Sequence, residues 1–281
     1  MLGIRLKTTQ LRDTFRLREP ERISRISFEL DSSRYTVKTA TTKSEIRQAL
    51  RLRYNVFYRE LLDALSPIGI DTDRFDRACD HLLIIEKGTG KVVGTYRLRA
   101  SDHVTEFFSQ TEFELQPFLE TSGTKLELGR ACIHADHRNG MVIRLLWRGI
   151  HHYARQVGAQ WLFGCSSLHS MDEQEIQSAI QALSAMGVIN TSLGVTPLDP
   201  FHPGRHGMNL WIPASGAGGV GGASRTMRGL VSRELASSLP PLLQSYVRAG
   251  AKILGLPAID VKMKCADFLT VLDLRTFQRE V

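Results

Sequence analysis

The run KLELGRACIHADHRNGMVIRLLWRGI, residues 125–150, has the pattern of a strand, a polar turn and an amphipathic helix. KLELGRACI at 125–133 predicts the strand, and HADHRNG supplies the turn. Apolar residues then recur along one stripe at Leu145, Leu146, Gly149, Ile150 and Tyr153. This stripe predicts a helix over about 140–157. The start of such a helix directs free backbone N–H groups and the positive end of its dipole at one spot, which suits a phosphate.

The turn at 138–142 is therefore the candidate phosphate site. A basic residue stands there next to a glycine, which allows the backbone to approach a ligand closely. The predicted phosphate-binding residues are Arg138, Asn139, Gly140, Met141 and Val142. From the pattern alone, the alternative is an ordinary loop whose arginine faces water.

Two charged residues of the predicted strand, Glu127 and Arg130, are the candidate catalytic pair. Period-two alternation puts them on opposite faces unless a bulge intervenes, and Gly129 is a natural bulge residue. A carboxylate beside a phosphate site could position or deprotonate an amine. The alternative is a solvated Glu–Arg ion pair of small energetic consequence.

The flanking sequence predicts one α/β domain with a mixed sheet. The capping box Thr42-x-x-Glu45 opens a helix over roughly 43–61, whose apolar residues have helical spacing. The other predicted elements are, in chain order, a hairpin of HLLIIE (81–86) and KVVGTYRLR (91–99), a strand QWLFGCSSL (160–168), a helix opened by a second capping box Ser170-x-x-Glu173 and ended at Gly187, a helix within LPPLLQSYVRAGAKILG (239–255), and a strand ADFLTVLDL (266–274).

The charge of the chain limits its partners. It has 281 residues, of which 36 are basic and 29 acidic, and its formal net charge of +7 suits an anionic partner. Nucleic acid is disfavoured because the basic residues are dispersed and lack interleaved stacking aromatic residues. No run approaches the roughly 20 apolar residues that span a bilayer. The four cysteines form no C-x-x-C pair, which predicts reduced thiols, a cytoplasmic location and no metal site.

Composition also predicts how the chain is organised. Residues 1–34 are rich in arginine and predict a basic, loosely ordered N-terminal arm. Residues 35–281 predict a single domain, interrupted at 213–224 by a glycine-rich mobile loop. That loop satisfies G-x-G-x-x-G literally, but it follows no strand and opens no helix, so no dinucleotide site is expected there.

Several stretches in fixed order resemble the bacterial L-ornithine N-alpha-acyltransferases, enzymes that depend on acyl carrier protein and begin ornithine-lipid synthesis. The resemblance covers roughly residues 35–275 outside the glycine-rich stretch. It implies a GNAT-like α/β fold, with a mixed central sheet flanked by helices, related to acyl-homoserine-lactone and N-acyl-amino-acid synthases. The matching stretches are LRYNVFYRE (52–60), DTDRFDRACDHLLII (71–85), VVGTYRL (92–98), ELGRACIHADHRNGMVIRLLWRGI (127–150) and WLFGC (161–165).

The resemblance implies transfer of a long-chain, 3-hydroxylated acyl group to the α-amine of an amino acid, with L-ornithine as the family's acceptor. The product would be a lyso-ornithine lipid. The donor would be a thioester on the 4′-phosphopantetheine of acyl carrier protein, with no permanently bound cofactor and no metal. The turn at 138–140 lacks one residue and the second glycine of the usual GNAT cradle, which fits this family better than acetyl-CoA enzymes.

The resemblance also implies roles for charged and apolar residues. The sparser pattern shared with autoinducer synthases marks Arg53, Asp73, Asp76 and Arg97 as substrate-binding residues. Arg97 or Arg130 would bind the acceptor carboxylate, and the acidic loop at 71–80 would bind a cationic side chain. From the residues alone, the acids of this loop could instead form an ion pair with Arg53 or cap turns. The expected acyl pocket consists of Phe57, Leu146, Trp147 and Phe163. The alternative for Leu146, Trp147 and Phe163 is simple packing in the core.

Other functions remain open at this point. A CoA-dependent N-acetyltransferase would share the phosphate site, and an N-acyl synthase could use glycine, lysine, glutamine or tyrosine instead of ornithine. A non-enzymatic membrane-binding module would explain the charge and the arm. For the acyltransferase, the positive charge would steer the acidic carrier protein, and the arm would contact the anionic inner membrane from the cytoplasm.

Overall fold

The computed structural model describes residues 24–213 and 239–277. Within them, ten strands form one mixed sheet and two short strands form a separate pair. The strands are β1 (Glu29–Asp31), β2 (Tyr35–Thr39), β3 (Asp80–Glu86), β4 (Lys91–Ala100), β5 (Phe113–Glu114), β6 (Thr124–Ile133), β7 (Ala159–Leu168), β8 (Ile189–Asn190), β9 (Thr196–Pro197), β10 (Lys252–Leu254), β11 (Ala258–Asp260) and β12 (Cys265–Asp273).

The helices are distributed over both halves of the chain. The α-helices are α1 (Lys43–Tyr54), α2 (Gln116–Leu119), α3 (Met141–Gln156), α4 (Glu173–Ala185), α5 (Pro241–Arg248) and α6 (Leu274–Phe277). The 3-10 helices are Arg74–Ala78, Phe108–Thr111, Ala135–His137, Asp199–Phe201 and Pro203–His206. No helix among the described residues is long and apolar enough to cross a membrane.

The large sheet has the strand order β1-β2-β3-β4-β6-β7-β12-β10-β8, with β11 beside β12. The pairs β6/β7 and β10/β8 are parallel, and the other pairs are antiparallel. Helix α3 connects β6 to β7, as parallel neighbours require. The central strands are therefore the predicted strand of residues 125–133 and the predicted strand of residues 160–168.

Helices cover both faces of the sheet. Along β3, Leu82 packs in the cluster that contains α3, whereas Leu83 packs in the cluster that contains α1. Because neighbouring strand residues point to opposite faces, α1 and α3 lie on opposite sides. The face with α1 also carries the segment after β4, which brings Phe107 and Phe113 against Phe163 of β7.

The predicted first helix is confirmed, together with its capping box. The Glu45 amide donates to Oγ1 of Thr42 at 3.1 Å, and the Thr42 amide donates to the Glu45 carboxylate at 3.1 Å. After Tyr54 the helix continues with wider, π-helical turns over Asn55–Leu61.

The second predicted capping box is wrong. Asp172, not Ser170, caps α4, because its carboxylate reaches the amides of Gln174 at 2.8 Å and Glu175 at 3.0 Å. Asp172 stands directly before the first turn, so one oxygen can satisfy two of the free N–H groups there. Ser170 accepts the Asp172 amide instead, at 3.0 Å.

The predicted N-terminal arm and glycine-rich loop lie mostly outside the described residues, and both remain predictions. The described part of the arm begins at residue 24 and already belongs to the sheet region. There the amides of Arg25 and Ile26 donate to the Asp80 carboxylate at 2.8 and 3.0 Å, and β1 pairs with β2.

Candidate active site

A cleft opens between the two central strands. Strands β6 and β7 pair only from Thr124 opposite Ala159 to Glu127 opposite Phe163. Beyond that point β6 pairs with β4, and β7 pairs with β12, up to Leu168. The inner edges of the two strands therefore separate among the described residues, which leaves unpaired backbone N–H and C=O groups facing the opening.

Gly164 lies where the strands separate. A Cβ atom at this position would lie 2.1 Å from the Leu128 carbonyl oxygen and 3.2 Å from its carbon. Only glycine allows the two backbones to come so close. The closed end of the cleft therefore depends on this residue.

A bulge on β6 shapes the other wall of the cleft. Cys132 faces Thr95 and Gly129 faces Arg97, so two residues of β6 stand opposite Tyr96 alone. The predicted bulge is confirmed, but the residue with positive φ is Arg130, at 50°, and not Gly129. The bulge brings Glu127 and Arg130 to the same region, since both contact Phe108.

The predicted substrate-binding residues meet in a buried ionic network. Arg53 donates to Asp71 at 2.7 Å and to both oxygens of Asp76 at 2.6 and 3.1 Å. Arg97 donates to both oxygens of Asp73 at 2.7 Å. Arg53 and Arg97 are only 1% and 2% exposed, so this network is inside the protein.

The network holds its carboxylates in the charged form. Burial acts to raise the pKa of Asp76, but the charges of Arg53 and Arg97 outweigh it and hold that pKa well below its usual range. The pKa of Asp73 is lowered for the same reason, mainly by Arg97 against burial. These acids also cap the 3-10 helix at Arg74–Ala78, where the Phe75 amide donates to Asp73 at 2.8 Å. Both alternatives for the acidic loop, ion pairing and capping, are thus present.

Arg130 is the most exposed arginine of the network. Its side chain is 18% exposed, and its guanidinium lies 3.3 Å from Asp73. The guanidinium also lies 5.9 Å from the centre of the Phe57 ring and 5.2 Å from that of Phe108. An arginine flanked by two aromatic rings is well placed to bind a carboxylate while keeping its own orientation.

Glu127 is buried and fully engaged with the segment after β4. Its carboxylate accepts the amides of Phe108 at 3.0 Å and Ser109 at 2.7 Å, and the Ser109 hydroxyl at 2.8 Å. The side chain of Glu127 is 3% exposed, and Nε of Arg99 lies 3.8 Å from it. Glu127 therefore fixes the 108–109 segment against β6.

The predicted phosphate site has the expected free backbone amides, but its arginine, Arg138, already binds other groups of the protein. Arg138 forms a two-pronged ion pair with Glu60, and its Nε donates to the Ile133 carbonyl at 3.0 Å. Asn139 accepts the Met141 amide at 3.1 Å, and Gly140 has a φ of 78°. The amides of Val142 and Ile143, in the first turn of α3, have no hydrogen-bond partner among the described residues.

The expected acyl-pocket residues do not meet in one place. Leu146 is 1% and Phe163 2% exposed, and they lie in different clusters of the core. Trp147 packs on Tyr246 of α5, with ring centres 5.2 Å apart. Of the four residues, Phe57 lies at the candidate site, beside Arg130.

A second polar group, which the sequence pattern did not predict, lies across the cleft. Cys165 of β7 donates to Glu112 at 3.3 Å and to the Ser109 hydroxyl at 3.6 Å. Oxygens of Glu112, Asp260 and Asp267 all lie within 4.8 Å of one another. One signal was available: Asp267 is a charged residue near the start of the largely apolar strand ADFLTVLDL.

The chain matches known proteins over most of its length. The acetyltransferase (GNAT) domain family matches residues 52–148. An L-ornithine N(alpha)-acyltransferase of Rhodobacter capsulatus is 35% identical over 158 residues, covering 52% of this chain and 61% of that protein. One of Brucella abortus is 28% identical over 253 residues, covering 85% of this chain and 84% of that protein.

A solved structure of a CoA-dependent acyl-homoserine lactone synthase is similar with a TM-score of 0.46 and 16% identity, covering 84% of this chain and 80% of that one. The GNAT match and the mixed sheet flanked by helices confirm the predicted fold class. The chain therefore carries an acetyltransferase (GNAT) domain and is related over most of its length to the L-ornithine N(alpha)-acyltransferases.

Proposed function

We propose that this protein transfers a long-chain 3-hydroxyacyl group from acyl carrier protein to the α-amine of L-ornithine, giving a lyso-ornithine lipid. One observation carries this proposal: four relatives, at 26–35% identity, are named L-ornithine N(alpha)-acyltransferase. The thioester donor is already activated, so the transfer uses no further cofactor and no metal. The net charge of +7 supports an acidic carrier protein as partner.

The cleft between β6 and β7 is our candidate donor site. The free amides of Val142 and Ile143 at the start of α3 would hold the phosphate of the 4′-phosphopantetheine arm. The arm would then run along the unpaired strand edges, whose N–H groups can hydrogen-bond it and polarise the thioester carbonyl. Arg138 would act indirectly, by holding the turn against Glu60.

Arg130 is our candidate for the acceptor carboxylate. Arg97 is less suited, because it is 2% exposed and both oxygens of Asp73 already accept from it. The attacking amine must be neutral, and a water molecule at the cleft would take its proton. Glu127 is assigned a positioning role, since its oxygens already accept three hydrogen bonds from residues 108–109.

The amine is expected to attack the thioester directly, without an acyl-cysteine intermediate. The C–N bond forms, the C–S bond of the thioester breaks, and the thiol of the phosphopantetheine arm leaves with the proton that the amine loses through water. Burial and the neighbouring charge of Glu112 raise the pKa of the Cys165 thiol well above its usual range, so it stays protonated at neutral pH. We expect Cys165→Ser to keep kcat within about 5-fold of the wild type, because a hydroxyl can still donate to Glu112. A loss of about 1,000-fold in single-turnover assays, with an unchanged fold, would contradict direct attack.

The positioning role of Glu127 predicts a specific kinetic pattern. Glu127→Gln should raise KM for the acceptor and leave the pH profile of kcat unchanged, because the amide loosens the 108–109 segment without removing a base. A general base contributes about 100- to 10,000-fold to the rate. A kcat loss of that size, together with loss of the acidic limb of the profile, would instead identify Glu127 as the base.

Lipid mass spectrometry tests the proposed function. Cells that express the full chain and make 3-hydroxyacyl carrier protein should contain a new N-acyl ornithine, which disappears with Arg130→Met. The purified protein should prefer a long-chain acyl carrier protein to acetyl-CoA. A different N-acyl amino acid as product would mean that the acceptor is that amino acid and not ornithine. Acetylation alone would support a CoA-dependent acetyltransferase. The absence of any product from folded protein would contradict acyl transfer.

A further inference from the structure

The acidic loop at 71–80 cannot easily serve a cationic ligand. Asp71, Asp73 and Asp76 each lie within 4 Å of a protein arginine, and Asp76 is almost wholly inside. Taking one of these carboxylates for a substrate would leave a buried arginine without its partner, which is costly. An acceptor with a positive side chain needs a different anionic site.

The group of Glu112, Asp260 and Asp267 offers such a site. Three separate segments supply it, namely the residue after the 3-10 helix Phe108–Thr111, the end of β11 and the start of β12. No lysine or arginine nitrogen of the described residues lies within ion-pair distance of these carboxylates. Three acids thus lie together without a counter-charge from the protein.

Glu112 is the unusual member. It is 1% exposed, its Oε2 accepts only the weak Cys165 thiol donor, and its Oε1 has no hydrogen-bond partner among the described residues. Asp260 accepts the Met263 amide at 3.0 Å, and Asp267 accepts from Ser167 and Cys265. Glu112 is thus a carboxylate inside the protein whose hydrogen-bond partner among the described residues is a weak thiol donor, and it lies beside two carboxylates that the protein has already oriented. A buried carboxylate in this position calls for a stronger donor.

Burial supports the interpretation that these three acids need a cation. Burial and the charge of Asp267 raise the pKa of Glu112 well above its usual range, and burial also raises the pKa of Asp267. The unliganded group is therefore poorly stabilised in its charged form, and a bound cation would relieve that penalty.

The group also lies beside the proposed acceptor site. Cys165 joins Glu112 to Ser109, which in turn donates to Glu127 at 2.8 Å. Arg130 is the cation whose charge opposes the raised pKa of both Glu112 and Asp267. Asp260 and Cys165 are half-buried, so the group has an accessible side. An acceptor whose carboxylate binds Arg130 can therefore direct its side chain towards these acids.

We infer that Glu112, Asp260 and Asp267 bind the cationic side chain of the acceptor amino acid, a primary ammonium group. This inference rests on the proposed function, because it places a part of the same acceptor. An ammonium offers three hydrogen-bond donors, which matches three carboxylates. A hard divalent cation fits less well, since calcium takes about 6–8 oxygen ligands and magnesium requires near-ideal octahedral geometry.

The test compares L-ornithine with L-norvaline, which has the same carbon chain but no terminal ammonium. Using the full chain and a long-chain acyl carrier protein, kcat/KM is measured for both acceptors. We expect Glu112→Gln and Asp260→Asn each to lower kcat/KM for ornithine by at least about 30-fold, the effect of removing one partner of a buried charge pair. The value for norvaline should stay within about 3-fold, because its side chain carries no charge.

The exposed Glu114, two residues from Glu112, provides the matched control. Glu114→Gln should leave both values unchanged. If the wild type acylates neither acceptor, the proposed function fails and the inference falls with it. If the wild type prefers ornithine and the two variants keep that preference, the inference alone is overturned.

Two further arms complete the experiment. If Glu112→Gln does not fold, the result for Asp260→Asn alone tests the inference. Asp260 lies nearer the surface, so its substitution disturbs the fold less. If EDTA abolishes the preference for ornithine and added magnesium or calcium chloride restores it, the group binds a metal ion and the ammonium assignment is wrong.

Discussion

Gly164→Ala is expected to lower the free energy of unfolding by about 3 kcal/mol and to remove most of the acyl transfer. The added methyl group would lie 2.1 Å from the Leu128 carbonyl oxygen, so the two central strands would have to move apart. The oxygen belongs to the backbone and the position of a Cβ atom is set by its own backbone, so no side-chain rotation can relieve the overlap. Chemical denaturation gives the loss of stability, and single-turnover acyl transfer gives the loss of activity.

Gly88→Ala is the matched control for this prediction. Gly88 lies in the β3–β4 hairpin turn, and an added Cβ atom there would meet nothing within 4 Å. The free energy of unfolding of the Gly88→Ala variant should differ from that of the wild type by less than about 0.5 kcal/mol. Equal melting temperatures for Gly164→Ala and the wild type would mean that β6 and β7 do not approach at this point, and the described cleft would then be wrong.

The sequence predicts well the parts of this fold that depend on residues close together along the chain. The strand, turn and helix at 125–150 follow from their own hydrophobic periodicity, and the Thr42 capping box follows from two residues three apart. The alternative cap at Ser170 fails for a local reason too, because Asp172 is a stronger competitor at the first turn.

The candidate site is predictable only in part, since its contacts join distant segments. Glu127 and Arg130 stand out in the sequence, but the hydrogen bonds of Glu127 to residues 108–109 depend on how a loop folds back onto β6. In the sequence, Gly164 is one residue within the predicted strand QWLFGCSSL (160–168), whereas in the structure it allows two strands to approach closely.

The two acidic groups of the protein illustrate the same limit. In sequence, the aspartates at 71–80 form an obvious anionic loop, whereas Glu112, Asp260 and Asp267 are scattered. In the structure the obvious loop is neutralised by Arg53, Arg97 and Arg130, and the scattered acids are left without a cation among the described residues. Breaking a buried ion pair of the loop from one side would be costly, whereas the scattered acids can accept a cation without losing a protein partner of opposite charge.

Asp76→Asn is expected to cost about 3–5 kcal/mol of stability at neutral pH, the usual effect of breaking a buried ion pair from one side. Arg53 would lose a two-pronged partner, and Arg97 would lose a charge at 3.5 Å. Asparagine keeps the shape of the side chain, so lost charge and not lost volume accounts for the effect. Asp136→Asn, at a side chain that is 84% exposed, should change stability by less than about 0.5 kcal/mol.

The pH dependence of this loss identifies its cause. Because the pKa of Asp76 is lowered in the folded protein, its contribution is fully present above the unfolded pKa of about 3.9 and declines as pH falls towards the folded value. The difference in unfolding free energy between wild type and Asp76→Asn should therefore stay constant from about pH 7 to 5 and shrink below about pH 4. Urea denaturation at each pH measures it, and a difference that stayed the same down to about pH 3 would show that packing, and not charge, explains the loss.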